Sequence, residues 1–320
     1  MVSIKIDYQE RMDFMARYIS KRVVSCFITL ILVSIFVFMF IRLIPGDPAR
    51  VLAGPDATLE DVEILRDSLG LNKPLYAQYF DYMKGLLHGN LGTSLKTKRP
   101  VAYEVGLRFP HTMILTICSI IWSIIAGLLI GMVSATHRGK WQDYGGMALA
   151  VSGISIPSFW LGLMLIELFA VKLGWLPSTG ASGWKSYILP SFTLGTSVAA
   201  VIARFTRSSI VEVLKEDYVR TARAKGLREK VVLWKHVFKN AMIPVITVVG
   251  LQFGFLLGGS VVTESVFGFP GIGSLLIDSV NFRDYPMVQS LILIFSLNFI
   301  VINLVVDLLY AAVDPEIKLG

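Results

Sequence analysis

The stretch Phe109–Thr136 reads FPHTMILTICSIIWSIIAGLLIGMVSAT and contains no charged side chain. A membrane helix needs about 20 mostly apolar residues, and this run exceeds that length. Working outward, five more segments meet the criterion or nearly do. Val23–Ile41 is free of charge, Gly145–Val171 carries one charge at Glu167, and Ser186–Ala203 ends at Arg204. Asn240–Thr263 ends at Glu264, and Pro286–Val306 ends at Asp307. The reading is therefore an all-α polytopic membrane protein with six transmembrane helices.

Composition agrees. Of the 320 residues, 54% are hydrophobic and 17% charged, and mean hydropathy is +0.64. A soluble domain carries about 25% charged residues, so a soluble enzyme or an ordinary nucleic-acid-binding domain is excluded. Disorder is excluded too, because it requires low hydrophobicity. Cys26 and Cys118 both lie in apolar runs and read as small hydrophobes rather than as a disulfide framework. The first apolar run follows Arg17, Lys21 and Arg22 but is too long for a signal-peptide core and lacks a small-residue cleavage site, so it reads as a retained anchor.

The net charge of +7 takes its meaning from its location. Six spans place both termini on one side. Short segments on that side hold 18 Lys and Arg, against 3 on the other, which makes the richer side cytoplasmic. The long segment Arg42–Arg108 is left out of that comparison, because long loops cross largely regardless of charge. Arg204–Asn240 alone holds ten basic and four acidic residues. Its positive excess suits a cytoplasmic anchor on anionic membrane lipid or a docking element for a cytoplasmic partner. Within it, Glu216-Asp217 favour a helix start and Gly226 a helix end or kink.

The segment Leu43–Arg108 reads as a small helical extracytoplasmic cap. Thr58 caps an amphipathic helix over Leu59–Leu69, with Asp61 completing a capping box. Pro74 opens a second helix to about Leu87, with Leu75, Tyr79, Tyr82 and Leu86 on one face. A third short helix is expected to end before Pro110. This cap reads as a structural lid or docking surface, and nothing in it has catalytic spacing.

Several intramembrane features need weighing. Gly250, Gly254 and Gly258 recur every four residues, as do Gly127 and Gly131, which permits close helix approach. For Gly127 and Gly131 packing suffices; Gly254 and Gly258, with Gln252 among them, are also candidates for a translocation path. Pro157 is expected to kink the third span. Glu167 is an intramembrane carboxylate, by default a functional candidate. Glu264 opens ESVFGFPGIG, where three Gly and a Pro predict a re-entering turn. Glu264, Arg283 and Asp284 either bind peptide ends or pair with one another. Gly180–Ser186, GASGWKS, lacks the Gly-Lys pair of a phosphate loop, and neither HExxH nor a nucleophile elbow occurs. No catalytic residue, metal site or cofactor is assigned to the chain, and no nucleic acid is expected.

Glu216–Leu227 (EDYVRTARAKGL) and His236–Pro244 (HVFKNAMIP) resemble the EAA loop of binding-protein-dependent ABC importer permeases, in its peptide-importer form. Arg220, Thr221 and Ala222 occupy the Glu-Ala-Ala places, ahead of Gly226. The likeness continues through IPGDP (Ile44–Pro48), LGLNKP (Leu69–Pro74), GISIPSF (Gly153–Phe159), GWLP (Gly174–Pro177), ARFTRSS (Ala203–Ser209), GLQFGFLLGG (Gly250–Gly259), RDYP (Arg283–Pro286) and DLLYAAVDP (Asp307–Pro315). The chain resembles the first, B-type permease subunit of dipeptide, oligopeptide or glutathione importers, with the glutathione branch most similar.

That resemblance implies a type I ABC importer permease fold. Its divisions would be a cytoplasmic tail and first helix over 1–43, an extracytoplasmic helical segment over 44–108, a transmembrane domain over 109–312 with a coupling loop at about 210–240, and a cytoplasmic tail over 313–320. It implies a heterodimer with a second permease, two cytoplasmic ATPase subunits holding ATP and Mg, an extracytoplasmic solute-binding protein and a peptide substrate. The setting would be a bacterial or archaeal cytoplasmic membrane. Arg220, Thr221, Ala222, Arg223 and Gly226 would couple to an ATPase, with Ala222 set against the partner. Glu264 would belong to the external gate region. A nickel-chelate or other small-solute permease of the same fold is the alternative. A stand-alone secondary transporter calls for paired midplane charges or an inverted repeat, and neither is evident. A membrane scaffold would leave the compact loop around Gly226 unexplained.

Overall fold

A computed structural model describes residues 2–43, 46–54 and 56–313, with side chains for 20–43, 46–54 and 56–306. IPGDP therefore falls partly outside the described residues, and the tail over 313–320 lies outside them after its first residue. So do the side chains of the basic residues Lys5, Arg11 and Arg17.

The helices in chain order are α1 (Val2–Leu43), α2 (Pro48–Ala53), α3 (Leu59–Ser68), α4 (Leu75–Leu87), α5 (Val101–Thr136), α6 (Trp141–Ser155) and α7 (Ser158–Leu165). After them come α8 (Ile188–Val213), α9 (Asp217–Ala224), α10 (Glu229–Val231), α11 (Lys239–Val266), α12 (Ile272–Asn281) and α13 (Tyr285–Val313). Two π-helical stretches, Ile166–Lys172 and Val232–Phe238, extend α7 and join α10 to α11. Among the described residues, five helical segments are long and apolar enough to cross a membrane, and a bent pair counted as one span makes six.

Two expectations change. The short helix expected before Pro110 and the second span form one helix, α5, with Pro110 inside it. Membrane helices tolerate such a proline where neighbouring groups re-satisfy the freed backbone. The third span is not merely kinked: α6 and the α7 segment through Lys172 meet at 102°. Ile156 and Pro157 are both extended there, and Pro157 supplies no N–H to continue the ladder.

The chain divides into two compact units. The first comprises Met1–Glu104 with Ser279–Leu304. Its cap holds the expected capping box: Thr58 Oγ1 accepts the Asp61 amide at 3.2 Å, and Asp61 Oδ2 accepts the Thr58 amide at 3.1 Å. α4 lies on α1, where Phe38 meets Tyr79 edge-on at 5.2 Å and Arg42 Nη2 donates to Gln78 at 2.8 Å. Asp284 accepts the Ser94 hydroxyl at 2.5 Å and the Lys96 amide at 3.3 Å, fastening the turn before α5 to the start of α13.

The second unit comprises Val105–Asp278 with Val305–Gly320. Leu115 of α5, Val198 and Ile202 of α8, Leu256 of α11, and Phe267 and Phe269 form its main core. Gly127 and Gly131 lie so close to α8 that a Cβ would strike Ile202 at the first and the Ala203 carbonyl and Thr206 at the second. The small residues thus let the α5 and α8 backbones approach.

Candidate functional site

The loop between α8 and α11 is built from its apolar positions upward. Val219 and Ala222 stand three apart and share one face of α9. Both are buried, in a cluster with Ala135, Ile210, Val232, Val237 and Ala241. That face settles a point the sequence left on the partner side: Ala222 turns toward its own chain. Arg220, Thr221 and Arg223 lie on the exposed side.

Local bonds fix the element. α9 ends at Ala224, and Gly226 takes a φ of 75°. Its amide donates to the Arg223 carbonyl at 2.9 Å and the Leu227 amide reaches back to Ala222 at 3.4 Å, a Schellman closure. Arg223 Nη2 donates to Glu229 Oε1 at 2.7 Å and Nε to Oε2 at 3.2 Å. That paired carboxylate raises the Arg223 guanidinium above its usual pKa. Asn240 Nδ2 donates to the Tyr218 hydroxyl at 2.9 Å. Among the described residues Arg220 makes only a long, exposed contact, 3.4 Å to Asp217, and such a pair contributes little. Its charge is left for the outside.

Two contacts brace the base of the loop. Arg207 of α8 donates Nε and Nη2 to Asp143 at 2.5 and 2.7 Å, and the same carboxylate accepts the Gly139 amide at 3.0 Å. The Ser209 hydroxyl donates to the Ala241 carbonyl at 2.8 Å, joining α8 to the start of α11. Sequence reasoning missed this brace. Arg207 is one of ten basic residues in its stretch, and Asp143 is more than 60 positions away; only its place in the first turn of α6 was a signal.

The path candidates separate. Glu264 is fully buried. Its Oε1 accepts the Thr112 hydroxyl at 2.7 Å, and its Oε2 accepts the Gly273 and Ser274 amides at 2.7 and 3.0 Å. Thr112 Oγ1 in turn accepts the Ile272 amide at 2.9 Å. One carboxylate and one hydroxyl thus satisfy the first amides of α12, which a helix leaves unpaired. A Cβ on Gly271 or Gly273 would meet the Glu264 carboxylate, so these glycines make room for the cap. The turn expected in FGFPGIG is present, and the carboxylate that precedes it is enclosed by its own chain.

Glu167 sits at the start of the π-helical stretch and pairs with Lys172 at 3.5 Å, both side chains at least half exposed. Gln252 is half-buried, Gly254 is buried and Gly258 is exposed, with open space where a Cβ would stand. Leu251, Phe255 and Val262 are exposed on the same length of α11.

Residues 127–319 match the model of the binding-protein-dependent transport system inner membrane component, and residues 15–116 match the model of the N-terminal part of that membrane component. The chain belongs to this permease family. The first of these matches contains the whole α8–α11 loop and Glu264 with the α12 amides it accepts, and the second contains Thr112. The glutathione transport system permease protein GsiC of Pectobacterium atrosepticum is 56% identical over 304 residues, covering 95% of this chain and 99% of that protein. GsiC of Escherichia coli K12 is 55% identical over the same extent. Among solved structures, an inward-facing MetNI methionine ABC transporter aligns with a TM-score of 0.57 at 18% identity, covering 66% of this chain and 97% of that one. An amino acid ABC transporter aligns at 0.54 and 16% identity, with 66% and 94% covered. The permease is thus a multi-pass membrane transport subunit with the type I importer fold, as the sequence-level resemblance implied.

Proposed function

We propose that the chain is one of two different permease subunits of an importer that moves peptides, glutathione among them, into the cell by alternating access. The observation that carries this is the 56% identity to a glutathione permease across 95% of the chain. ATP and Mg belong on two cytoplasmic ATPase subunits, and a solute-binding protein delivers the peptide on the cap's side. Both termini and α9 then face the cytoplasm, in agreement with the Lys and Arg distribution.

In this reading α9 is the coupling helix. Arg220, Thr221 and Arg223 are the groups available to an ATPase cleft, where a guanidinium can meet carboxylates. Val219 and Ala222 are the other half of the device. Because they are packed with Ile210, Val237 and Ala241, a push on α9 is carried into α8 and α11 with little slack, since packed interiors transmit displacement. Gln252, Gly254 and Gly258 are the path candidates on α11. The Glu264 cap holds the turn that this reading assigns to the external gate, and Glu167 remains a further candidate there.

The test is reconstitution with the partner subunits in vesicles. ATP-dependent uptake of labelled glutathione or dipeptide supports the reading. Uptake of a nickel chelate and no peptide overturns the substrate, and uptake by the chain alone without ATPases overturns the mechanism.

A further inference from the structure

In the first unit, α1 and the cap enclose two chambers that share Arg42, Gln78 and Tyr285 among their lining residues. The larger has a volume of about 710 Å³ and is lined mainly by apolar side chains, Ile35, Met39, Leu43 and Leu75 among them. Met39 and Leu43 are 59% and 77% exposed, so this chamber opens beside α1 where the span ends. The smaller, about 290 Å³, is more polar, with Lys73, Asp81 and Gln289 in its wall.

Two donors point to an oxygen-rich anionic ligand. Arg42 is held rigidly by neutral groups alone: Nη1 donates to the Phe38 carbonyl at 2.9 Å, Nη2 to Gln78 Oε1 at 2.8 Å, and the guanidinium lies 3.4 Å from the Phe38 ring centre. Among the described residues no carboxylate pairs with it. Of the other cations in the chamber walls, Arg66 is matched by Asp47 and Glu63, and Lys73 by Asp81. Gln289 is 5% exposed, and its Nε2 has no hydrogen-bond partner among the described residues. An uncompensated guanidinium and an orphaned buried amide both call for an oxyanion.

The chemistry of the two chambers selects a lipid over a peptide. A peptide carboxylate would suit Arg42, but its ammonium would find Asp47 and Asp81 already paired, and its backbone would not fill an apolar chamber. A phospholipid supplies an anion, polar oxygens and an acyl chain in one molecule, and the membrane presents it at this opening. We propose that an anionic phospholipid of the leaflet on the cap's side occupies the two chambers. One acyl chain runs along Ile35, Met39 and Leu43, the phosphate meets Arg42, and headgroup oxygens accept from Gln289 Nε2.

The test is native mass spectrometry of the full-length chain, purified with its accompanying subunits and exchanged into phosphatidylglycerol nanodiscs. Retention is scored without ATP or peptide, so its outcome is separate from that of the import reading. The wild type is expected to retain phosphatidylglycerol, and Arg42→Gln to retain roughly fivefold less, the loss of one cation–lipid contact. Met39→Trp fills the apolar chamber without altering charge and should lower retention similarly, which decides the matter if Arg42→Gln does not assemble. Arg50→Gln, an exposed cation bonded to the Ala57 carbonyl, should retain as much as wild type. Equal retention by Met39→Trp and wild type overturns the site. So does equal loss in Arg50→Gln, or displacement of the retained lipid by dipeptide.

Discussion

Arg207 of α8 grips both oxygens of Asp143, which lies in the first turn of α6, at 2.5 and 2.7 Å. Asp143 is nearly enclosed, its side chain 4% exposed, whereas that of Arg207 is 29% exposed. Removing one partner of a buried pair strands the other charge and costs about 3–5 kcal/mol. Arg207→Ala should therefore lower stability by about 3 kcal/mol, the lower end of that range, through a stranded Asp143. The double substitution Asp143→Leu with Arg207→Met should recover most of it. Thermal unfolding of the purified chain checks both, and equal destabilisation by the single and double variants refutes the clamp.

The Glu264 carboxylate holds the start of α12 through the Gly273 and Ser274 amides. Glu264→Ala leaves the buried Gly273 amide and the half-buried Ser274 amide unpaired, at about 1–3 kcal/mol for the buried one. Hydrogen exchange at Gly273 and Ser274 should accelerate while exchange in the middle of α8 stays slow. Thr112→Val should show the same pattern more weakly, with the Ile272 amide affected first.

Gly226 has open space around it but a φ of 75°. Gly226→Val therefore introduces backbone strain of about 1–2 kcal/mol rather than a clash. The expected outcome is a folded subunit whose partner ATPase activity persists while uptake falls. Unchanged uptake per ATP would remove α9 from the coupling path. Ala222→Leu reaches the same end differently, by overpacking the cluster beneath α9 at about 1–3 kcal/mol.

Two glycine positions should respond in opposite ways. Gly131→Val drives a side chain into the Ala203 carbonyl and Thr206, and overpacking of this kind costs about 1–3 kcal/mol. A Cβ on Gly258 would meet nothing within 4 Å, so the melting temperature of Gly258→Leu should hold. Loss of uptake in a stable Gly258→Leu variant places that position on the path, and full uptake removes it.

Sequence alone determined the positions of the apolar spans, the cap helices α3 and α4, and the compact loop. Each rests on a local pattern: the charge-free run Phe109–Thr136, the Thr58–Asp61 box, the Glu216-Asp217 start and the Gly226 stop. Secondary structure in these places follows from neighbours in the chain, so linear reading suffices. The side of α9 on which Ala222 lies was equally implicit in its spacing from Val219, but became certain only once Val237 and Ala241 were seen to cover it.

Tertiary structure decided the rest, because the partners are far apart in sequence. Asp143 and Arg207, Thr112 and Glu264, and Ser94 and Asp284 are joined only after the helices pack. The composition of each segment is the same whether its charge is paired or free. The 102° break between α6 and α7 was announced by Pro157, but its size depends on the surfaces those helices find. Likewise the sequence left Glu264 either binding peptide ends or pairing with Arg283 or Asp284, and only the packed chain brought the amides of α12 onto its carboxylate. Burial and pairing are properties of the packed chain, and the local pattern that builds a helix does not carry them.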